Sequence, residues 1–156
     1  HGRRPRRPRR GAGARWCGAY GDPSPDASVL HVCQSGLVKP DDPRFEWAVN
    51  TVERDLLEGA TVLRYKMDDG LPGREGGFHI CAGWLAECYA IQGRREKAEA
   101  MLDGICSLSG PLGLLSEQHD PATGRALGNH AQAYSHLAII NACVRLGGAS
   151  AADAGA

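Results

Sequence analysis

The chain has 156 residues, with 18 Lys+Arg against 18 Asp+Glu and a sequence pI near 7.2, so its formal net charge is zero. That balance conceals a division: residues 1–15 hold seven arginines and no acid, which leaves 11 basic against 18 acidic residues on the remainder. A hydrophobic share of 42% excludes disorder throughout, and no apolar run approaches the roughly 18 residues that a membrane span needs.

In chain order, Arg3 to Arg10 with Pro5 and Pro8 has no apolar residue to bury and reads as a disordered tail rather than a phosphate-neutralising arm, because the acidic body offers no basic face to continue such a contact. The tail also lacks the apolar stretch of about 7–15 residues that marks a secretory signal. The body is therefore expected to be soluble and cytoplasmic, with no membrane partner and no nucleic-acid role.

Residues 26–34 form a short apolar helix capped by Ser24 or Asp26, and Pro40-Asp41-Asp42-Pro43 supplies an N-cap and an early helical proline for the next. There Phe45, Val49, Val52 and Leu56 fall on one helical face that ends at Gly59. Residues 61–65 are β-prone but short. A polar Gly/Pro-rich loop follows over 67–77, then a helix with Phe78, Cys81, Leu85 and Cys88 in one stripe and Trp84 beside it, closed by Gly93.

Residues 94–108 place Ala98, Met101, Leu102, Ile105 and Leu108 inward and Arg95, Glu96 and Glu99 outward, an outer half-solvated helix. Residues 109–128 read as a long loop, of a length often functional in compact domains. A last helix over 129–146 turns Ala133, Leu137, Ile140 and Val144 inward, ends at Gly147-Gly148, and leaves 147–156 as a flexible tail. The expected fold is all-α, built of antiparallel helical hairpins.

The six cysteines are scattered through apolar segments, without a C-x-x-C or a zinc-like spacing to histidine, and read as reduced, mostly buried small hydrophobes. No metal and no cofactor are implied.

Two loops concentrate polar groups for which a core has no use. Residues 64–78 combine Arg64, Tyr65, Asp68, Glu75 and Phe78 among glycines, a set suited to a sugar: carboxylate and guanidinium bond vicinal hydroxyls while an aromatic face takes the apolar side of the ring. The ordinary alternative is a surface turn with Glu75 favoured at a helix N-terminus. In the second loop Glu117 follows an apolar run, where desolvation and neighbours tune a carboxylate, and composition suggests Glu75 and Glu117 as the paired carboxylates of a glycosidase.

Residues 83–98 read like one tetratricopeptide unit, but a shift of about 34 residues finds no second copy, so a non-catalytic helical interaction module is the alternative reading.

Taken in order, several runs resemble the C-terminal part of glycoside hydrolase family 15, the glucoamylase and glucoamylase-like trehalase family. They are Tyr20-Gly21 with Asp26-Ala27-Ser28, Leu37-Val38 with Pro40-Asp41-Asp42-Pro43-Arg44, Arg64-Tyr65 with Asp68-Asp69-Gly70-Leu71-Pro72-Gly73, Glu75-Gly76-Gly77-Phe78 with Cys81 and Trp84-Leu85-Ala86-Glu87, Leu114-Leu115-Ser116-Glu117-Gln118 with Asp120-Pro121, and Leu127-Gly128-Asn129 with Gln132-Ala133 and Ser135-His136. The resemblance covers about residues 16–146, taken as a partial catalytic domain. It implies part of an (α/α)6 barrel and hydrolysis of α-glucosides, maltooligosaccharides or trehalose, with inversion.

On that resemblance Glu117 is the general base, Arg64, Tyr65 and Asp68 bind sugar hydroxyls, and Glu75 and Phe78 sit in or beside the pocket. The family's general acid lies upstream of the matched runs, so Glu75 is not the acid and the pairing suggested by composition does not hold. Twelve helices need on the order of 200 residues, and five in about 130 amount to roughly half a barrel. An upstream segment or companion chain is expected to supply the rest. His79, Ala82 and Gly83 stand where the family carries bulkier apolar residues, and residues 1–15 match nothing in it.

Overall fold

In a computed structural model of the chain, residues 16–18, 24–67, 70 and 75–153 are described, with the side chains of 149–153 outside that description. The Arg-rich start and Asp68 lie outside the described residues. Asp26 caps a 3-10 turn, Ala27–Val29, which runs into α1 (Leu30–Gln34). Helix α2 (Pro43–Asp55) starts as expected, with Asp42 accepting the Arg44 N–H at 2.8 Å and Pro43 at the first helical position. Phe45, Val49, Val52 and Leu56 are wholly buried, each contributing about 1.5–3 kcal/mol of hydrophobic stabilisation.

Helix α3 (His79–Ile91) is the centre of the molecule and packs against every other described helix. It is buried on nearly all sides, which is why the single stripe expected for it understates its burial. Gly83 sets its distance from the last helix, since a Cβ there would overlap the Cβ of Ala138. Helix α4 (Arg95–Ser107) buries Ala98, Met101, Leu102 and Ile105 and turns Arg95, Glu96 and Glu99 to solvent, as its periodicity implies.

The all-α expectation is corrected by a five-stranded antiparallel sheet. Its strands β1 (Leu57–Glu58), β2 (Thr61–Val62), β3 (Gly77–Phe78), β4 (Ser116–Asp120) and β5 (Arg125–His130) pair in sequence order, with α3 and α4 inserted between β3 and β4. Phe78 therefore ends a strand and caps α3 with extended backbone rather than riding on the helix. The 109–128 loop is largely the β4–β5 hairpin. Asp120 closes its turn, accepting from Ala122 N at 2.9 Å and Thr123 Oγ1 at 2.7 Å, and Gly124 takes φ +71°.

Helix α5 (Ala133–Asp153) begins later than expected and continues through Gly147-Gly148 to Asp153. Its expected face is also reversed. Ser135, Ala138, Ala142 and Leu146 are buried, while Ala133, Leu137, Ile140 and Val144 are exposed. Close approach to α3 at Gly83 puts the small Ala138 at the crossing, and Leu137, Ile140 and Val144 lie outside it. Of the cysteines, Cys33, Cys81 and Cys88 are buried and Cys17, Cys106 and Cys143 exposed, all as free thiols, so burial holds for half rather than most.

Candidate functional site

The sheet brings together residues that are far apart in sequence. Arg64, Tyr65, Glu75, Phe78 and Glu117 line one cavity of about 450 Å3, together with Ile80, Cys81, Trp84, Gln132 and Tyr134. This size lies within the usual range for small-molecule sites. A larger groove of about 680 Å3 between α3 and α5, lined by Glu87, Ala90, Asn141, Val144 and Arg145 among others, holds none of the expected residues.

Glu117 reaches the cavity from β4, opposite an irregularity in β5. Ser116 pairs with His130 and Gln118 with Leu127, so Gly128 and Asn129 together face Glu117. The extra residue is accommodated by Gly128 at φ +71°, and bulges of this kind re-aim groups beside functional sites. Here the bulge points two donors at the carboxylate: Asn129 donates its backbone N–H and its Nδ2–H to Glu117 Oε2, each at 3.1 Å. Any side chain on Gly128 would intrude, since a Cβ there would lie 2.7 Å from Glu117 Oε2.

The strand carrying Glu117 is anchored on both sides. Ser135 Oγ donates to the Ser116 carbonyl at 2.8 Å and Gln132 N–H to the Leu115 carbonyl at 2.9 Å, which ties β4 to the start of α5. On the other flank, Gly76 N–H donates to Gln118 Oε1 at 2.9 Å, so the residue after Glu75 is bound to the residue after Glu117. A Cβ on Gly76 would strike the His119 carbonyl, and one on Gly77 the Thr61 side chain. The glycines before α3 are thus required by close strand packing.

Arg64 and Tyr65 line the same cavity. Arg64 Nε donates to Asp26 Oδ1 at 2.8 Å, and the same oxygen accepts the Ser28 N–H at 2.7 Å. Burial works against the Asp26 carboxylate, but the bonds from Arg64 and Ser28 outweigh it and hold its pKa below the ordinary carboxylate value. Asp26 and Tyr65 also form an isolated antiparallel bridge. Trp84 presents its ring from α3 and is backed by His31, with centroids 4.1 Å apart.

Beneath the site His79 is buried, and its Nδ1 makes no hydrogen bond among the described residues. Burial, followed by the neighbouring His119 and His136, pushes its pKa down to about 4. Among the described residues no group of three or more His, Cys, Asp and Glu is placed to hold a metal, and no helix is long and apolar enough to cross a membrane.

Sequence reasoning had not assigned Trp84, Gln132 and Tyr134 to the cavity, nor Asp26 and Asn129 to the support of its residues. Asp26, Trp84, Asn129 and Gln132 stand within runs that resemble the family. The bulge that aims Asn129 left no local signature.

A carboxylate with one oxygen doubly held, a guanidinium, a phenol and aromatic rings thus line one small cavity. The chain belongs to glycosyl hydrolase family 15, whose sequence profile matches residues 11–144. It is 42% identical over 130 residues to a trehalase of Mycobacterium tuberculosis (strain ATCC 25618 / H37Rv), covering 81% of this chain and 19% of that protein. With a trehalase of Thermoplasma acidophilum the identity is 38% over 128 residues, covering 81% of this chain and 22% of the other. The chain thus spans about a fifth of the length of these curated relatives. Among solved structures it is similar to a wild-type glycosidase, at TM-score 0.68 and 26% identity, and to a variant glycosidase in complex with glucose, at TM-score 0.68 and 25% identity. Each alignment covers 81% of this chain and 37% of the other.

Proposed function

We propose that this chain supplies the base side of an inverting α-glucosidic hydrolase, with trehalose the favoured substrate over maltooligosaccharides. The observation that carries the reading is the convergence of Arg64, Tyr65, Glu75, Phe78 and Glu117 on one cavity in a member of family 15. The trehalases among its relatives and the glucose-bound glycosidase of similar fold support the substrate class.

In this reading Glu117 takes a proton from a water that attacks the anomeric carbon as the glycosidic bond breaks on the opposite face. Asn129 occupies one carboxylate oxygen and leaves the other to the water. Arg64, Tyr65 and Asp68 bind sugar hydroxyls, and Glu75 and Phe78 complete the wall. The described helices then form part of an (α/α)6 barrel, and the general acid comes from a segment or companion chain outside the matched residues.

α-Glucosyl fluoride separates the two carboxylate roles, because fluoride leaves without being protonated. The chain is expected to hydrolyse it and release β-glucose first by proton NMR, with loss of turnover in Glu117→Gln. Its turnover of trehalose is expected to be about 100- to 10,000-fold lower than in the presence of the acid. α-Glucose as the first product would overturn inversion, and undiminished turnover in Glu117→Gln would overturn the base.

A further inference from the structure

We infer that Asp26 is a positioning residue that orients Arg64 toward the sugar. This rests on the α-glucoside reading of the cavity. Asp26 joins two segments: its Oδ1 accepts from Arg64 Nε and from Ser28 N–H, and its backbone bridges Tyr65. The Ala27 N–H donates to the Arg64 carbonyl at 2.9 Å, so main chain and side chain bind the Arg64-Tyr65 pair to the same turn.

An arginine side chain has several rotatable bonds, and ordering it on binding carries an entropic cost. A carboxylate bonded to Nε sets the plane of the guanidinium in advance, and in a partly buried setting such a charge-assisted bond is stronger than a neutral one. The Asp26 side chain is 18% exposed and that of Arg64 38%, so the pair is shielded on the carboxylate side and accessible on the cavity side. Asp26 touches no cavity space itself and acts through Arg64.

The test separates orientation from the cap on the 3-10 turn. Asp26→Asn keeps an oxygen that can accept from both the Ser28 N–H and Arg64 Nε and removes only the charge that strengthens the bond to Arg64. With the full chain and α-glucosyl fluoride, Asp26→Asn is expected to raise KM about tenfold with little change in kcat, and Asp26→Glu to restore part of it. The Arg64 Nε–H resonance in 15N–1H spectra is expected to move in Asp26→Asn. In the Arg64→Gln background Asp26→Asn should add nothing to KM, whereas a purely structural role would add in full. Unchanged KM with an unchanged Nε–H resonance would overturn the inference. If the wild-type chain neither binds nor turns over the fluoride, the glucoside reading fails, and the Nε–H resonance still decides whether Asp26 orients Arg64. Should Asp26→Asn not fold, Asp26→Glu carries the comparison.

Discussion

Asn129 holds Glu117 through two donors on a single oxygen, the backbone N–H and Nδ2–H both 3.1 Å from Oε2. The contact exists because Gly128 bulges β5 at φ +71°. Gly128→Ala adds strain at a positive φ and a Cβ against the carboxylate, so a loss of about 1–2 kcal/mol is expected in urea unfolding. Turnover of α-glucosyl fluoride should fall through kcat more than KM. Asn129→Ala keeps the backbone donor and should cost only about 1 kcal/mol of transition-state stabilisation. Equal kinetics in both variants and wild type would remove any role for the bulge.

His79 predicts a pH dependence of folding. Its folded-state pKa of about 4 lies below the ordinary histidine value of 6.5, so between these values the unfolded chain binds a proton that the native chain does not. Its stabilising contribution is present above pH 6.5 and declines, by on the order of 3 kcal/mol in total, as pH falls toward 4. His79→Leu also removes a buried nitrogen without a partner among the described residues. Urea midpoints across this range should be flatter for His79→Leu than for wild type.

At the α3–α5 crossing, Gly83→Ala places a methyl group against the Ala138 Cβ. Overpacking there should cost about 1–3 kcal/mol, measured by thermal or urea unfolding. Ala138→Gly in the same chain should recover part of that loss, because the two residues are in contact and their effects are not additive. Additive losses would place the crossing elsewhere.

The exposed stripe on α5 predicts self-association. Leu137, Ile140 and Val144 are 49%, 55% and 69% exposed, in a contiguous helical row. The double variant Ile140→Lys with Val144→Gln should change unfolding free energy by no more than about 0.5 kcal/mol, as expected for surface positions. Sedimentation velocity should show less association than for wild type. A large loss of stability would mean that the stripe is packed within the molecule.

The candidate cavity was legible in the sequence because its groups cluster in two polar loops, Arg64 to Phe78 and the segment around Glu117, each within a run resembling the family. Asp68 lies outside the described residues. Asp26 was legible as a cap, but its bond to Arg64, 38 residues away, was not. A cap is a local event, whereas the bond to Arg64 depends on how the chain returns.

The helices α2, α3 and α4 could be read from periodicity, prolines and glycines, since capping and amphipathic burial act within a few residues. Of the sheet, only the β-prone segment that holds β2 could. Strands of two residues have no period, and β4 is polar along its length, so its pairing with β3 and β5 becomes visible only when distant segments meet. The same holds for α5, which is apolar around much of its circumference. The glycine at position 83 on α3 meets Ala138 closely, and α5 buries Ala138, Ala142 and Leu146 while Leu137, Ile140 and Val144 stay outside. Local chemistry therefore determined which segments are helical and which loops carry polar groups. Only the tertiary structure decided which face of α5 is buried and how a bulge in β5 holds Glu117, because both depend on close contact between residues distant in sequence.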